Sequence, residues 1–183
     1  ERWLVLDNPR TSADSDIYLV DLAAPDKNPV LITGHDGNIQ YSSYGFTPDS
    51  RYLTYATDEI GEYRQAWQHD LESGEKSMLV EAPWDVWYVI YSPSGRYRVS
   101  GVNADARTEV TVTDLVSGEK IGFDSLPLGD LVSVRFTPYE SAVAIIVNAD
   151  NSPSNIHLVD LGSGESTQMT DTLNTTIDTA HLF

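Results

Sequence analysis

The sequence predicts an all-β protein, a β-propeller of about four four-stranded blades. Three observations carry the prediction. One phrase occurs four times: DIYLVDLAAPD from Asp16, QAWQHDLESGE from Gln65, EVTVTDLVSGE from Glu109 and NIHLVDLGSGE from Asn155. Its landmarks keep a period near 45 residues. The aspartates Asp21, Asp70, Asp114 and Asp160 lie 49, 44 and 46 apart, and Phe46, Tyr91, Phe136 and Phe183 lie 45, 45 and 47 apart. Third, no long stretch shows the apolar spacing of an amphipathic helix.

Each element follows from local chemistry. The innermost strand of a unit ends on the aromatic landmark and opens a turn: FTPDS at Phe46, YSPSG at Tyr91, FTPYE at Phe136. Pro fixes φ for a type I turn, and Asp, Ser or Gly fill the other positions. A half-buried strand is expected next, as in RYLTYAT (51–57) or SAVAIIVN (141–148). A polar loop leads to the strand of the recurring phrase, and an SGE turn follows whose Gly suits a positive φ. A short last strand, SMLVE or TQMT, closes the unit. The approximate repeat units are 1–46, 47–91, 92–136 and 137–183. Phe183 falls where an innermost strand ends and Glu1-Arg2-Trp3 where a second strand begins. The expectation is four blades cut within a repeat, part of a larger seven- or eight-bladed ring. A closed four-bladed ring, with the last strand paired to the first, is the alternative.

Composition narrows the partners. Of 183 residues, 28 are acidic and 11 basic, a net charge of −17. Such a surface repels nucleic acid and anionic membranes. It fits solubility through self-repulsion, or a salty medium that screens the repulsion. There is no cysteine, which removes disulfides and thiolate metal sites and leaves the compartment, cytoplasmic or exported, undecided. No apolar run reaches the length of a membrane span.

Several phrases carry a resemblance beyond the repeat. TDEIGEYRQAWQHDLESGEK (57–76), PWDV (83–86), LPLG (126–129), NSPSNIHLVDLGSGE (151–165) and TTIDTAHLF (175–183) occur in the order found in one family. Over essentially its whole length the chain resembles the propeller of the prolyl oligopeptidase family of serine peptidases, especially acylaminoacyl-peptidase and dipeptidyl-peptidase-like members. The resemblance implies a propeller that caps an α/β-hydrolase domain and restricts access to its Ser, Asp and His, so that only peptides or small acylated substrates reach the nucleophile. No G-x-S-x-G occurs in this chain, so no catalytic residue is assigned to it. The expected role is that of a non-catalytic gating lid and docking surface. The alternative is a free-standing protein-binding scaffold like the Tol-system propeller, whose repeats are similar. Two departures from the family pattern, FTPYES and Arg98 in a strand position held elsewhere by Leu4, Leu53 and Val143, fit drift in a propeller that no longer serves an active peptidase.

The candidate contact residues are Asp58, Glu59, Glu62 and Arg64, the most charged of the segments between second and third strands, together with Arg98. Those segments (7–16, 58–64, 103–107 and 148–155) are expected as loops of varied length on one face, where function is usually carried. A solvated loop and a paired or snorkelled Arg98 are the plainer readings. No cofactor and no metal is expected. Asp14 and Asp16 alternate without a D-x-D-x-D-G ligand series. His35, His69, His157 and His181 lack metal-ligand spacing. Trp84 and Trp87 are expected in blade packing, with a stacking platform as the alternative. Asn174-Thr175-Thr176 is a formal glycosylation sequon.

Overall fold

The computed structural model describes residues 2–149, 152–174 and 176. Fifteen strands and no helix are found among them, arranged in four antiparallel sheets. The first sheet has three strands in the order β1 (Trp3–Thr11), β2 (Asp14–Asp21), β3 (Val30–Leu31). The second has four: β4 (Tyr41–Phe46), β5 (Tyr52–Thr57), β6 (Gln65–Asp70), β7 (Lys76–Val80). The third comprises β8 (Val86–Tyr91), β9 (Tyr97–Ala104), β10 (Arg107–Asp114) and β11 (Lys120–Ile121). The fourth comprises β12 (Asp130–Phe136), β13 (Ala142–Ala149), β14 (Ser152–Asp160) and β15 (Ser166–Gln168). In every sheet, neighbours in sequence are neighbours in space. That up-and-down order makes a propeller blade. The chain forms two compact units, Glu1–Ile90 and Tyr91–Phe183, which divide within β8.

In the first unit the core lies between the first two sheets. Ile17, Tyr41, Leu53 and Tyr55 are buried together, with Val5, Ile32, Ile39, Phe46 and Trp67 packed around them. The strand expected to be half-buried is covered on both faces: from Leu53 to Thr57 every residue of β5 is buried. A strand sandwiched on both sides reads as a continuous buried run rather than an alternation. Pro9 falls at a register shift in β1, the end strand of its sheet, where a missing N–H is tolerated. In the second unit Val99, Val112, Val134, Val143, Ile145 and Val159 are fully buried.

The segments expected as loops of varied length are mostly strand. β1 and β2 run into a turn at 12–13, and β9 and β10 into one at 105–106. Among the described residues of these segments, only 58–64 form an open loop. Of the terminal phrase 175–183, only Thr176 lies within the described residues.

The FTPYES departure has a structural cause. Glu140 adopts φ 53°, the left-handed conformation that Gly95 supplies in the sister turn. Its carboxylate accepts from Ser94 N at 2.6 Å and Ser94 Oγ at 2.5 Å. A glycine would make the turn more easily, but only a carboxylate ties it to the turn of the neighbouring sheet.

Candidate functional site

Antiparallel order sends the turns after first and third strands to one end of a blade, and the remaining connections to the other. The first end explains the recurring aspartate. Asp70 Oδ1 accepts from Glu72 N and Ser73 N at 2.8 and 3.0 Å, and Asp114 and Asp160 cap their turns in the same way. Asp21 accepts from Ala23 N. An arginine then clamps the carboxylate: Arg2 to Asp21 at 2.7 Å, Arg51 to Asp70 at 3.2 Å, Arg96 to Asp114 at 2.7 Å. Each guanidinium also lies over the next aromatic, Trp3, Tyr52 or Tyr97, 4.6 to 5.1 Å from the ring centre. Ser141 stands where the fourth sheet would need its arginine. The bonds from Arg2 and Arg96 and the turn amides lower the Asp21 and Asp114 pKa values. For Asp70 the turn amides come first, ahead of Arg51. These carboxylates are fixed anions that hold turns, not proton donors.

The other end of the first unit carries the open loop 58–64. Asp58 Oδ1 accepts from Gln40 N at 2.7 Å. Arg64 is bound through its backbone, N to Asp85 Oδ1 at 2.8 Å and O from Val86 N at 2.8 Å, with its Nε 3.8 Å from the same carboxylate oxygen. Asp58 and Arg64 therefore brace the two ends of the loop. Glu59 and Glu62 are exposed between them. Tyr63 lies against Trp84, ring centres 5.4 Å apart, which ties the loop to the PWDV segment. Beneath it, buried Gln65 bonds both backbone groups of Ala82, accepting from N at 2.7 Å and donating to O at 3.1 Å. A cleft beside the loop is lined by Asp7, Ser15, Gln40, Tyr41, Ser42 and Arg64. The result is a braced loop that exposes two carboxylates, Glu59 and Glu62.

Arg98 belongs to the second unit. It is half-buried on β9 opposite Thr113, and among the described residues no carboxylate pairs with its guanidinium. Trp87 is half exposed on β8. His69 on β6 and His157 on β14 are strand residues whose pKa values burial lowers. His181 lies outside the described residues. Asn174 is exposed, and its side chain accepts from Thr176 N at 3.0 Å. No group of three metal-ligating side chains is assembled among the described residues.

Sequence reading passed over one cluster in the first unit. Asp16 is fully buried, with Oδ2 bonded to Arg10, and Asp14 and His35 complete the group. Alternation of Asp14 with Asp16 was the visible signal, but the two partners come from different elements, six and twenty-one residues away.

Comparison with known proteins finds no matching family model and no matching curated protein. Solved structures do match. A puromycin-hydrolyzing peptidase of Mycobacterium tuberculosis aligns over 99% of this chain with a TM-score of 0.73 and 14% identity. A prolyl endopeptidase aligns over 94% with a TM-score of 0.71 and 15% identity. TolB of Acinetobacter baumannii aligns over 91% with a TM-score of 0.63 and 16% identity. The chain spans only 29%, 26% and 40% of those structures, respectively. At such identities the likeness speaks for the fold: this chain is built of β-propeller blades, of the kind found in TolB and in prolyl-oligopeptidase-type peptidases.

Proposed function

We propose that the chain is a non-catalytic propeller module, the gating lid and docking surface of a prolyl-oligopeptidase-like serine hydrolase. Its partner is an α/β-hydrolase domain, and peptides are the substrate class of the assembled enzyme. The observation that carries this reading is the alignment of nearly the whole chain with peptidase structures more than three times its length. The loop 58–64 supports it with exposed Glu59 and Glu62, set on a brace of Asp58 and Arg64, as the contact surface. Arg98 is a second contact candidate, carrying a guanidinium without a carboxylate partner among the described residues.

A test starts from the native protein. Intact mass should exceed 20.2 kDa by a hydrolase domain, and a fluorophosphonate probe should label it outside residues 1–183. Glu59→Lys with Glu62→Lys in that protein should lower peptide hydrolysis while a small activated ester is still cleaved. A native mass near 20 kDa with no labelling would overturn the reading. The TolB likeness supports a second reading, a protein-binding scaffold of the Tol type. Capture of a stable, non-hydrolase partner, lost in the same double variant, would then be the expected result.

A further inference from the structure

We propose that a protonated His35 acts as a latch, tightening the linker between β3 and β4, residues 32–40, on the first sheet, and that loss of one proton loosens it. The geometry requires two ring hydrogens. His35 is enclosed, its side chain 3% exposed. Its Nδ1 lies 2.8 Å from the carbonyl oxygen of Thr33, which only accepts, so Nδ1 carries hydrogen. Its Nε2 lies 3.0 Å from Asp14 Oδ1, and an ionised carboxylate also only accepts. A neutral imidazole has one hydrogen and satisfies one of these bonds; the imidazolium satisfies both.

Charge points the same way. Asp16 is 0% exposed, and its Oδ1 lacks a hydrogen bond and lies 3.5 Å from His35 Nδ1. Arg10 from β1 bonds Asp16 and lies 3.6 Å from Asp14. Two carboxylates, one guanidinium and one imidazolium sum to zero. A neutral His35 leaves one negative charge enclosed without compensation, which is costly. The remaining neighbours bring no positive charge. Tyr41 of β4 lies against the ring with centres 5.2 Å apart, and Glu59 from the 58–64 loop neighbours its hydroxyl.

The sister sheets show what the latch replaces. Five residues before Asp70 and Asp160 stand Gln65 and Asn155, as Asp16 stands before Asp21. Both are buried neutral amides, and both hold the following linker: Gln65 through Ala82, Asn155 through Thr170 and Thr172. In the first sheet an ionisable pair adds to the bonds from Ile17 N to Thr33 Oγ1 and from Ser15 N to Ile39 O. The Thr33 carbonyl, opposed by burial and helped by Asp14 and Asp16, raises the His35 pKa above 6.5. Latching is then complete below pH 6.5 and is lost as pH rises through the folded value.

Histidine C2 exchange and backbone amide exchange, both read by mass spectrometry on the native protein between pH 5 and 9, test the proposal. The expected His35 midpoint lies above 6.5, each pH unit of elevation being a tenfold tightening of the latch by the proton. Exchange across 32–41 should accelerate through that midpoint beyond its intrinsic pH dependence. Residues 81–86, held by neutral Gln65, should not follow. Asp14→Asn should bring the midpoint down, and His35→Gln should remove the pH-dependent step. A midpoint at or below 6.5, or linker exchange that tracks 81–86 throughout, would overturn it. If His35→Gln fails to fold, Asp14→Asn and the two linkers still decide.

Discussion

The hairpin between β9 and β10 turns on Asp105 and Ala106, with φ of 47° and 66°. Two successive positive values make the type I′ geometry that matches strand twist and favours Asn-Gly. Register pairs Arg107 directly with Ala104, so the turn has no slack in which to relax. Asp enters the left-handed region with little penalty, but Ala meets its own Cβ there at a cost of roughly 1–2 kcal/mol. Ala106→Gly removes that cost, while the freer unfolded chain takes back about 0.4–1 kcal/mol. A net gain of about 0.5–1 kcal/mol is expected. A control of opposite sign lies at the far end of β10. Gly118 has φ 77°, and nothing lies within 4 Å of an added Cβ, so Gly118→Ala imposes backbone strain alone. It should cost about as much as Ala106→Gly gains. Urea titration reads both. With slopes of about 1–3 kcal/mol per molar, the midpoints should move by roughly 0.2–1 M in opposite directions, and the double variant should return near the parent. Shifts of the same sign, or none, would refute the argument that backbone conformation alone sets the energy at these positions.

Three further variants probe the packing and its polar ties. Leu53→Ala empties a fully buried site between the first two sheets and should cost about 3 kcal/mol in the same titration. Gln65→Ala strands both backbone groups of Ala82; a loss of about 2 kcal/mol and faster amide exchange at 81–86 are expected. Glu140 is pushed up by burial but pulled below 4.5 by its bonds to Ser94. Its contribution is present above pH 4.5 and lost as pH falls through the folded value, so Glu140→Gln should flatten the acid limb of stability against pH.

Regular repetition made the fold legible. Aspartates spaced 49, 44 and 46 residues apart, each followed by a tight turn, fix the third strand of every blade. The β5 strand shows the limit of pattern reading: LTYAT carries two threonines among its apolar residues, yet both of its faces are covered, and burial of Thr54 and Thr57 follows from neighbouring elements. Loop lengths were misjudged for a related reason. DNPRTSADSD is polar and holds a proline, yet as β1 and β2 it stays paired, through a register shift between Pro9 and Thr11, up to Thr11 and Asp14. Polarity reports exposure there, not the end of pairing. Arg2, Arg51 and Arg96 each precede an aromatic and stand 19, 19 and 18 residues before their aspartates, so that clamp was readable from the repeat itself. His35 was not, because its significance lies in residues brought to it by three other elements.

The two ends of the blades therefore place different demands on the residues that build them. At the turn end, the aspartate must cap backbone amides wherever the third strand stops, so any blade needs it and its recurrence says nothing of a partner. At the other end, the residue five positions earlier holds a linker in three sheets by different chemistries, amides at Gln65 and Asn155 and a buried charge network at Asp16, whereas the third sheet has exposed Glu109 there. A choice that folding leaves free is one that selection can use. The network sits beside the loop that projects Glu59 and Glu62, joined to it through Tyr41 and through the bond from Gln40 N to Asp58. Protonation of His35 is thereby coupled to the seat of that loop. If the loop docks a hydrolase domain, docking by the parent should weaken as pH rises through the His35 midpoint and lose that step in His35→Gln. Docking that ignores pH while the linker responds would separate the latch from the contact surface.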